Sequence, residues 1–160
     1  MEHKTPKHIV AVAGYLTNEK NEVLLTKVHW RADTWEMPGG QGEEGEGEAL
    51  DQAVCREIKE ETELTVKPIG MTGVYYNASM HILAVVFKVA YVSGDIKIQP
   101  EEIQEAKFIA LNEENIDEYI TRPHMKSRTV DAMRATHFIP YETWEVQPYN
   151  LIGCKKRVAI

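Results

Sequence analysis

The sequence predicts a mixed α+β fold, a single domain with a central sheet and flanking helices. Three observations predict it. The chain has 160 residues, a one-domain length able to bury about two-thirds of its unfolded surface. Strand-length runs of β-branched and apolar residues flank one stretch in which Leu50, Val54 and Ile58 are spaced four apart, as on one face of a helix. No long-period repeat, linker or shift of composition divides residues 1–160.

The elements follow in order. His8–Leu16 (HIVAVAGYL) is apolar and β-branched enough for a buried strand. Polar Thr17–Asn21 makes a turn, and Glu22–Val28 (EVLLTKV) a second strand, so the pair reads as a hairpin. Trp30–Thr34 is a short loop, and Pro38 disfavours helix at the residue before it, keeping Trp35–Met37 extended. Beyond the helix, Val66–Tyr76 and Met80–Val92 are strands, the second apolar enough to be central. After the turn Ser93-Gly94-Asp95 come Ile96–Ile98, an acidic bend at Pro100–Glu105 and a short strand at Lys107–Leu111. Asn112 is placed to cap a helix with a stripe of Ile116, Tyr119 and Ile120. Pro123 opens another helix carrying Met125, Val130 and Met133, and Phe138–Val146 alternates as a last strand.

A net charge of −7 opposes binding to nucleic acid or to an anionic membrane surface. The N-terminal residues have no long apolar core and no window approaches a membrane span, so neither a secretory signal nor an anchor is expected. Cys55 and Cys154 have no metal-ligand spacing and make no disulfide framework, which sets a reducing cytoplasm as the default.

The chain is organised around Pro38–Leu64, PGGQGEEGEGEALDQAVCREIKEETEL. Its first half is a glycine-rich acidic loop. Its second half is an amphipathic helix on which Glu57, Glu60 and Glu61 fall within roughly 100° of arc. Like charges at that spacing repel by a few tenths of a kcal/mol per pair, and a divalent cation offsets the repulsion. Hard oxygen ligands at fixed spacing on a rigid turn suit Mg²⁺ or Mn²⁺. A solvated acidic face is the alternative.

Trp35-Glu36-Met37-Pro38-Gly39-Gly40, the acidic loop, and Arg56-Glu57-Ile58-Lys59-Glu60-Glu61 together resemble the signature of the Nudix hydrolases, the MutT-like family. The likeness covers most of the chain. It implies a Nudix-type α/β/α sandwich and divalent-metal-dependent hydrolysis of a nucleoside diphosphate linked to another moiety, by attack of water on phosphorus. The resemblance makes Glu60 and Glu61 the direct metal ligands and Glu57 a ligand or the base that orients the water. The carbonyl of Gly39 or Gly40 is placed to complete the shell. A further carboxylate from a distant loop is expected at Glu102 or Glu105, and the expected metal set is Gly40, Glu57, Glu60, Glu61 and Glu105. Arg56, grouped with Glu57 and Glu60 as catalytic, pairs with Glu48 to hold the loop against the helix.

Two departures stand out. The loop is two residues longer than the family's, so the upstream glutamate is Glu48 counted back from Arg56 and Glu46 counted from Gly40. Helix register favours Glu48. Glu63 replaces the glycine that ends the family's helix, at about 1–2 kcal/mol if the backbone turns left-handed; otherwise the helix continues. These departures motivate a second reading, a non-catalytic nucleotide- or metal-binding module of the same fold with altered assembly.

Substrate contacts are expected from Arg31, whose fork suits a phosphate, and from Tyr76 and Asn77, which with Tyr75 follow a strand and are placed to stack on or hydrogen-bond a base. His29, His81, His124 and His137 lack ligand spacing and receive no role. There is no P-loop, nucleophile elbow or zinc cluster. The expected partner is a small nucleoside-diphosphate derivative. The aromatic stretch Phe138–Tyr149 makes a homodimer plausible.

Overall fold

The computed structural model describes residues 4–42 and 47–155, so Glu46 lies outside the described residues. A four-stranded mixed sheet forms the centre. Strand β1 (Ile9–Leu16) runs parallel to β5 (Ile82–Ser93) and antiparallel to β3 (Gly39–Gln41), and β4 (Thr65–Asn77) pairs antiparallel with the far edge of β5. A second, two-stranded sheet pairs β2 (Val23–Val28) with β6 (Ile103–Ile109). Helix α1 (Leu50–Thr62) follows β3, and a short α2 (Ile116–Tyr119) leads into α3 (Pro123–Arg134). The chain ends in an antiparallel hairpin of β7 (Tyr141–Val146) and β8 (Tyr149–Lys155).

Alternation along β1 assigns the layers. Val12 and Leu16 join Val85, Phe87 and Val89 of β5 in a core with Ala53, Val54 and Ile58 of α1. Ala13 and Tyr15 join a second core with Val86, Ile116, Ile120, Met125 and Ala132. The sheet therefore lies between α1 on one face and α2 and α3 on the other, the α/β/α layering that was expected. Val54 and Ile58 have no exposed surface, each such side chain stabilising by about 1.5–3 kcal/mol. Gly14 sets the depth of the α1 contact, since a Cβ there would lie 2.7 Å from Ile58 Cδ1.

Two expectations for the elements are corrected, the hairpin of the first two strands and the single strand of the tail. The turn after β1 exists, with Thr17 bridging Val23 and the Asn18 side chain accepting the amides of Lys20 and Glu22. The strands then part into different sheets, because both edges of β1 are taken by β3 and β5. The stretch after β5 closes the end of α1, where the Lys97 and Gln99 amides donate to the carbonyls of Thr62 and Glu61 at 2.9 and 3.2 Å. The tail holds two strands rather than one, and its hydroxyls serve the other end of α1. Tyr141 and Thr143 accept the free amides of Asp51 and Leu50, in place of a capping side chain at Ala49.

Helix α1 does not run on through Glu63. It stops at Thr62, and Glu63 takes the left-handed conformation (φ 62°, ψ 8°), its amide donating to the Lys59 carbonyl at 2.9 Å.

Candidate active site

The segment between β2 and β3 is pinned before it reaches the site. Trp35 lies between the ammonium groups of Lys27 and Lys107, each 5.0 Å from its ring centre. Glu36 exchanges backbone hydrogen bonds with Thr26, and the Gly14 amide takes the Pro38 carbonyl. These anchors deliver Gly39 and Gly40 to β1 directly beneath α1. Glycine at position 40 lets the Glu57 carboxylate lie against the strand, where a Cβ would fall 2.5 Å from one of its oxygens and displace it.

A cavity of about 970 Å³ opens at this point. One part of its wall is acidic, with Glu57 and Glu61 from α1, Glu36, and Glu102 from the bend before β6. The bend is tied to residues 29–31, a single 3₁₀ turn, by the His29 amide on the Glu102 carbonyl (3.1 Å) and the His29 ring on the Pro100 carbonyl (2.8 Å). Another part is basic, with Arg31, Arg122, His124 and Arg128. Trp30, Tyr75, Tyr76 and Asn77 also line it.

Glu61 is the most constrained group. It is 4 % exposed, and its Oε2 is buried without a hydrogen-bond partner. Burial first, then repulsion from Glu57, Glu36 and Glu102, pushes its pKa up to about 9 against the pull of the Gly39 amide. Burial also raises Glu57, opposed by Arg56 and reinforced by Glu60 and Glu102. An unsatisfied carboxylate oxygen buried beside other carboxylates is a candidate position for a cation, and oxygen donors of this kind suit a hard divalent ion.

Arg56 organises the acidic helix from outside the cavity. It grips Glu48 with both ends of its fork (Nε to Oε2 2.7 Å, Nη2 to Oε1 3.1 Å). It also donates to Glu57 at 3.1 Å, to Glu60 at 3.2 Å and to the Gln41 carbonyl at 3.4 Å. Glu48, Arg56, Glu57 and Glu60 thus form one network, joined to β3 through Gln41.

The remaining expected residues divide. Gly40, Glu57 and Glu61 come together on the cavity wall. Glu60 is about half exposed and held on Arg56, and among the described residues no three His, Cys, Asp or Glu side chains stand close enough to hold an ion as placed. Of the two distant carboxylates, Glu102 lines the cavity. Glu105 sits on β6 opposite Lys27, with its carboxylate 4.0 Å from Lys107 Nζ, away from the cavity lining. Arg31 lines the cavity, but its fork is closed on Glu36 (2.8 and 2.7 Å). Tyr76 is half exposed at the wall, and Asn77 uses its side-chain oxygen to accept the amides of Ser79 and Met80. Sequence reasoning gave no role to Glu36, Arg122, His124 or Arg128. A charged residue between buried Trp35 and Met37 was a usable signal for Glu36. Nothing local marks the three on and before α3.

A carboxylate-bearing helix behind a Gly-Gly strand, packed on a mixed sheet with helices on both faces, is the architecture of a known class of phosphate-handling domains. Residues 7–128 match the family model for the NUDIX domain, and the chain belongs to the Nudix family. It is 41% identical over 85 residues to a MutT-like protein of Streptomyces ambofaciens, covering 52% of each chain. It is 35% identical over 109 residues to an ADP-ribose pyrophosphatase of Methanocaldococcus jannaschii, covering 64% of this chain and 62% of that one. The chain therefore spans between half and two-thirds of the length of these relatives. Among solved structures, a NUDIX hydrolase from Nitrosomonas europaea superposes with a TM-score of 0.66 at 26% identity, over 79% of this chain and 89% of the other.

Proposed function

We propose that the chain is a Nudix pyrophosphohydrolase that cleaves the diphosphate of a nucleotide derivative with the help of Mg²⁺ or Mn²⁺. The observation that carries this reading is the buried Glu61 carboxylate beside the partly buried Glu57 on the cavity wall, with the Glu61 Oε2 lacking a partner. Glu57 and Glu61 would hold the ion, with the Gly40 backbone beside them, Glu60 on the adjoining position of the helix and Glu102 across the wall. A divalent cation bound there neutralises diphosphate charge and lowers the pKa of an attacking water. Glu57 is held between Gly40 and Arg56, which fixes its carboxylate to orient a water at the cavity wall. Arg56 and Glu48 keep the helix turn in place, a positioning role. Similarity to an ADP-ribose pyrophosphatase and to a MutT-like protein favours nucleoside diphosphate derivatives and nucleoside triphosphates as the first substrates to test.

The test is phosphate and pyrophosphate release from ADP-ribose, nucleoside triphosphates and dinucleotide polyphosphates, with Mg²⁺, with Mn²⁺ and in EDTA. Metal-dependent turnover that falls at least about a hundredfold in Glu60→Gln or Glu61→Gln is expected, the scale of losing a group that acts on the reacting charge. Tight nucleotide binding without product, or turnover unchanged by both substitutions, would refute it.

A further inference from the structure

Arg128 lies in the middle of α3 and lines the cavity. Its Nε has no exposed surface and no hydrogen-bond partner. Two carboxylates are placed to neutralise it, and each has another partner. Glu36, whose charge acts on Arg128, is closed in a two-point pair with Arg31. Asp131 stands three residues along the same helix, a natural ion-pair spacing, but it accepts the Tyr75 hydroxyl at 2.8 Å.

The neighbours sharpen the contrast. Arg122 is paired with Asp33 through Nη2 and Nε at 2.9 and 3.2 Å. Of the three arginines lining this cavity, Arg31 and Arg122 have a carboxylate across the fork and Arg128 has none among the described residues. Burial, with Arg31 nearby, lowers its proton affinity, as expected for a cation without compensation. A guanidinium nitrogen buried without a partner leaves its desolvation uncompensated, and an anionic ligand removes that cost.

We infer that Arg128 is a substrate-binding residue that takes the non-bridging oxygens of a phosphate group. The ligand then spans the cavity, with one phosphate at the Glu57 and Glu61 wall and another against α3. This rests on the reading of the cavity as a nucleoside-diphosphate site. Guanidinium forks also pair with base carbonyls, so the experiment separates phosphate from nucleoside.

Calorimetry in EDTA with inorganic pyrophosphate, AMP and adenosine as probes compares wild type with Arg128→Lys and Arg128→Gln. Pyrophosphate and AMP binding should weaken about tenfold or more in R128Q and less in R128K, the scale of one charge-assisted hydrogen bond. Adenosine binding should be the same in all three. R128Q should melt at or above the wild-type temperature, because it removes an uncompensated buried charge. Wild type that ignores pyrophosphate, folded R128Q that binds it undiminished, or adenosine affinity that falls in step with AMP would overturn the assignment. None of these measurements uses a metal or turnover, so a protein that binds pyrophosphate through Arg128 yet hydrolyses nothing refutes the hydrolase alone.

Discussion

Replacing Glu61 by glutamine in the metal-free protein should raise stability at alkaline pH and change it little near about pH 4.5, where the unfolded carboxyl titrates. In the folded chain the group titrates at about 9, against 4.5 for the free side chain. A raised acid pKa means the folded state keeps its proton while the unfolded state releases one. The favourable contribution of Glu61 is therefore complete below 4.5 and is lost as pH rises toward about 9. Each pH unit inside that window costs about 1.4 kcal/mol, so three units, up to about pH 7.5, cost about 4 kcal/mol at most. Glutamine keeps the shape and does not titrate. Urea melts of both proteins in EDTA, at steps of about half a unit from about pH 4.5 to 7.5, should show E61Q gaining on wild type by up to that amount. A bound divalent ion favours the ionised carboxylate, so Mg²⁺ should stabilise wild type increasingly with pH and leave E61Q nearly unmoved. Parallel wild-type and E61Q curves in EDTA would refute the reasoning, because they would mean Glu61 is not held protonated by burial.

Three further outcomes are expected. Glu63→Gly relieves a left-handed glutamate and should raise stability by about 1 kcal/mol, or about 2–4 °C in a thermal melt, with turnover unchanged. Gly40→Ala puts a Cβ 2.5 Å from the Glu57 carboxylate and should lower turnover about a hundredfold while the fold survives, read by steady-state kinetics beside circular dichroism. Tyr75→Phe frees Asp131, one helical turn from Arg128, and should weaken pyrophosphate binding in EDTA; Asp131→Asn added to it should restore binding.

What was legible in the sequence is what depends on nearby residues. The spacing of Leu50, Val54 and Ile58 set α1 and its buried face, and the helix register that favoured Glu48 is matched by its two-point pair with Arg56. The β1 and β2 pairing was misread because a turn at Thr17–Asn21 says nothing about which strand fills each edge of β1. That choice falls to β5, more than 60 positions away. The part played by the stretch after β5 was not legible, because the amides of Lys97 and Gln99 meet the open carbonyls of α1, and those are visible only once the helix end is placed. The stop at Glu63 is of the same kind. The amides of Lys97 and Gln99 take the last carbonyls, which ends the helix there despite the unfavourable residue.

The basic side of the cavity was illegible for a deeper reason. An arginine's role depends on who competes for it. Arg31, expected to meet a phosphate, is paired with Glu36, five residues on. Asp131, three residues beyond Arg128, is held by the hydroxyl of Tyr75, on β4 and more than 50 positions away. The same logic operates at Glu61, since Arg56 on the same helix is committed to Glu48, Glu57 and Glu60. Among the described residues the cavity thus keeps a buried carboxyl and a partly buried guanidinium, each with a nitrogen or oxygen that has no partner, Glu61 from α1 and Arg128 from α3. Their separation asks for a ligand carrying both signs, a cation at one end and an anion at the other, and a diphosphate bound with a divalent metal supplies both.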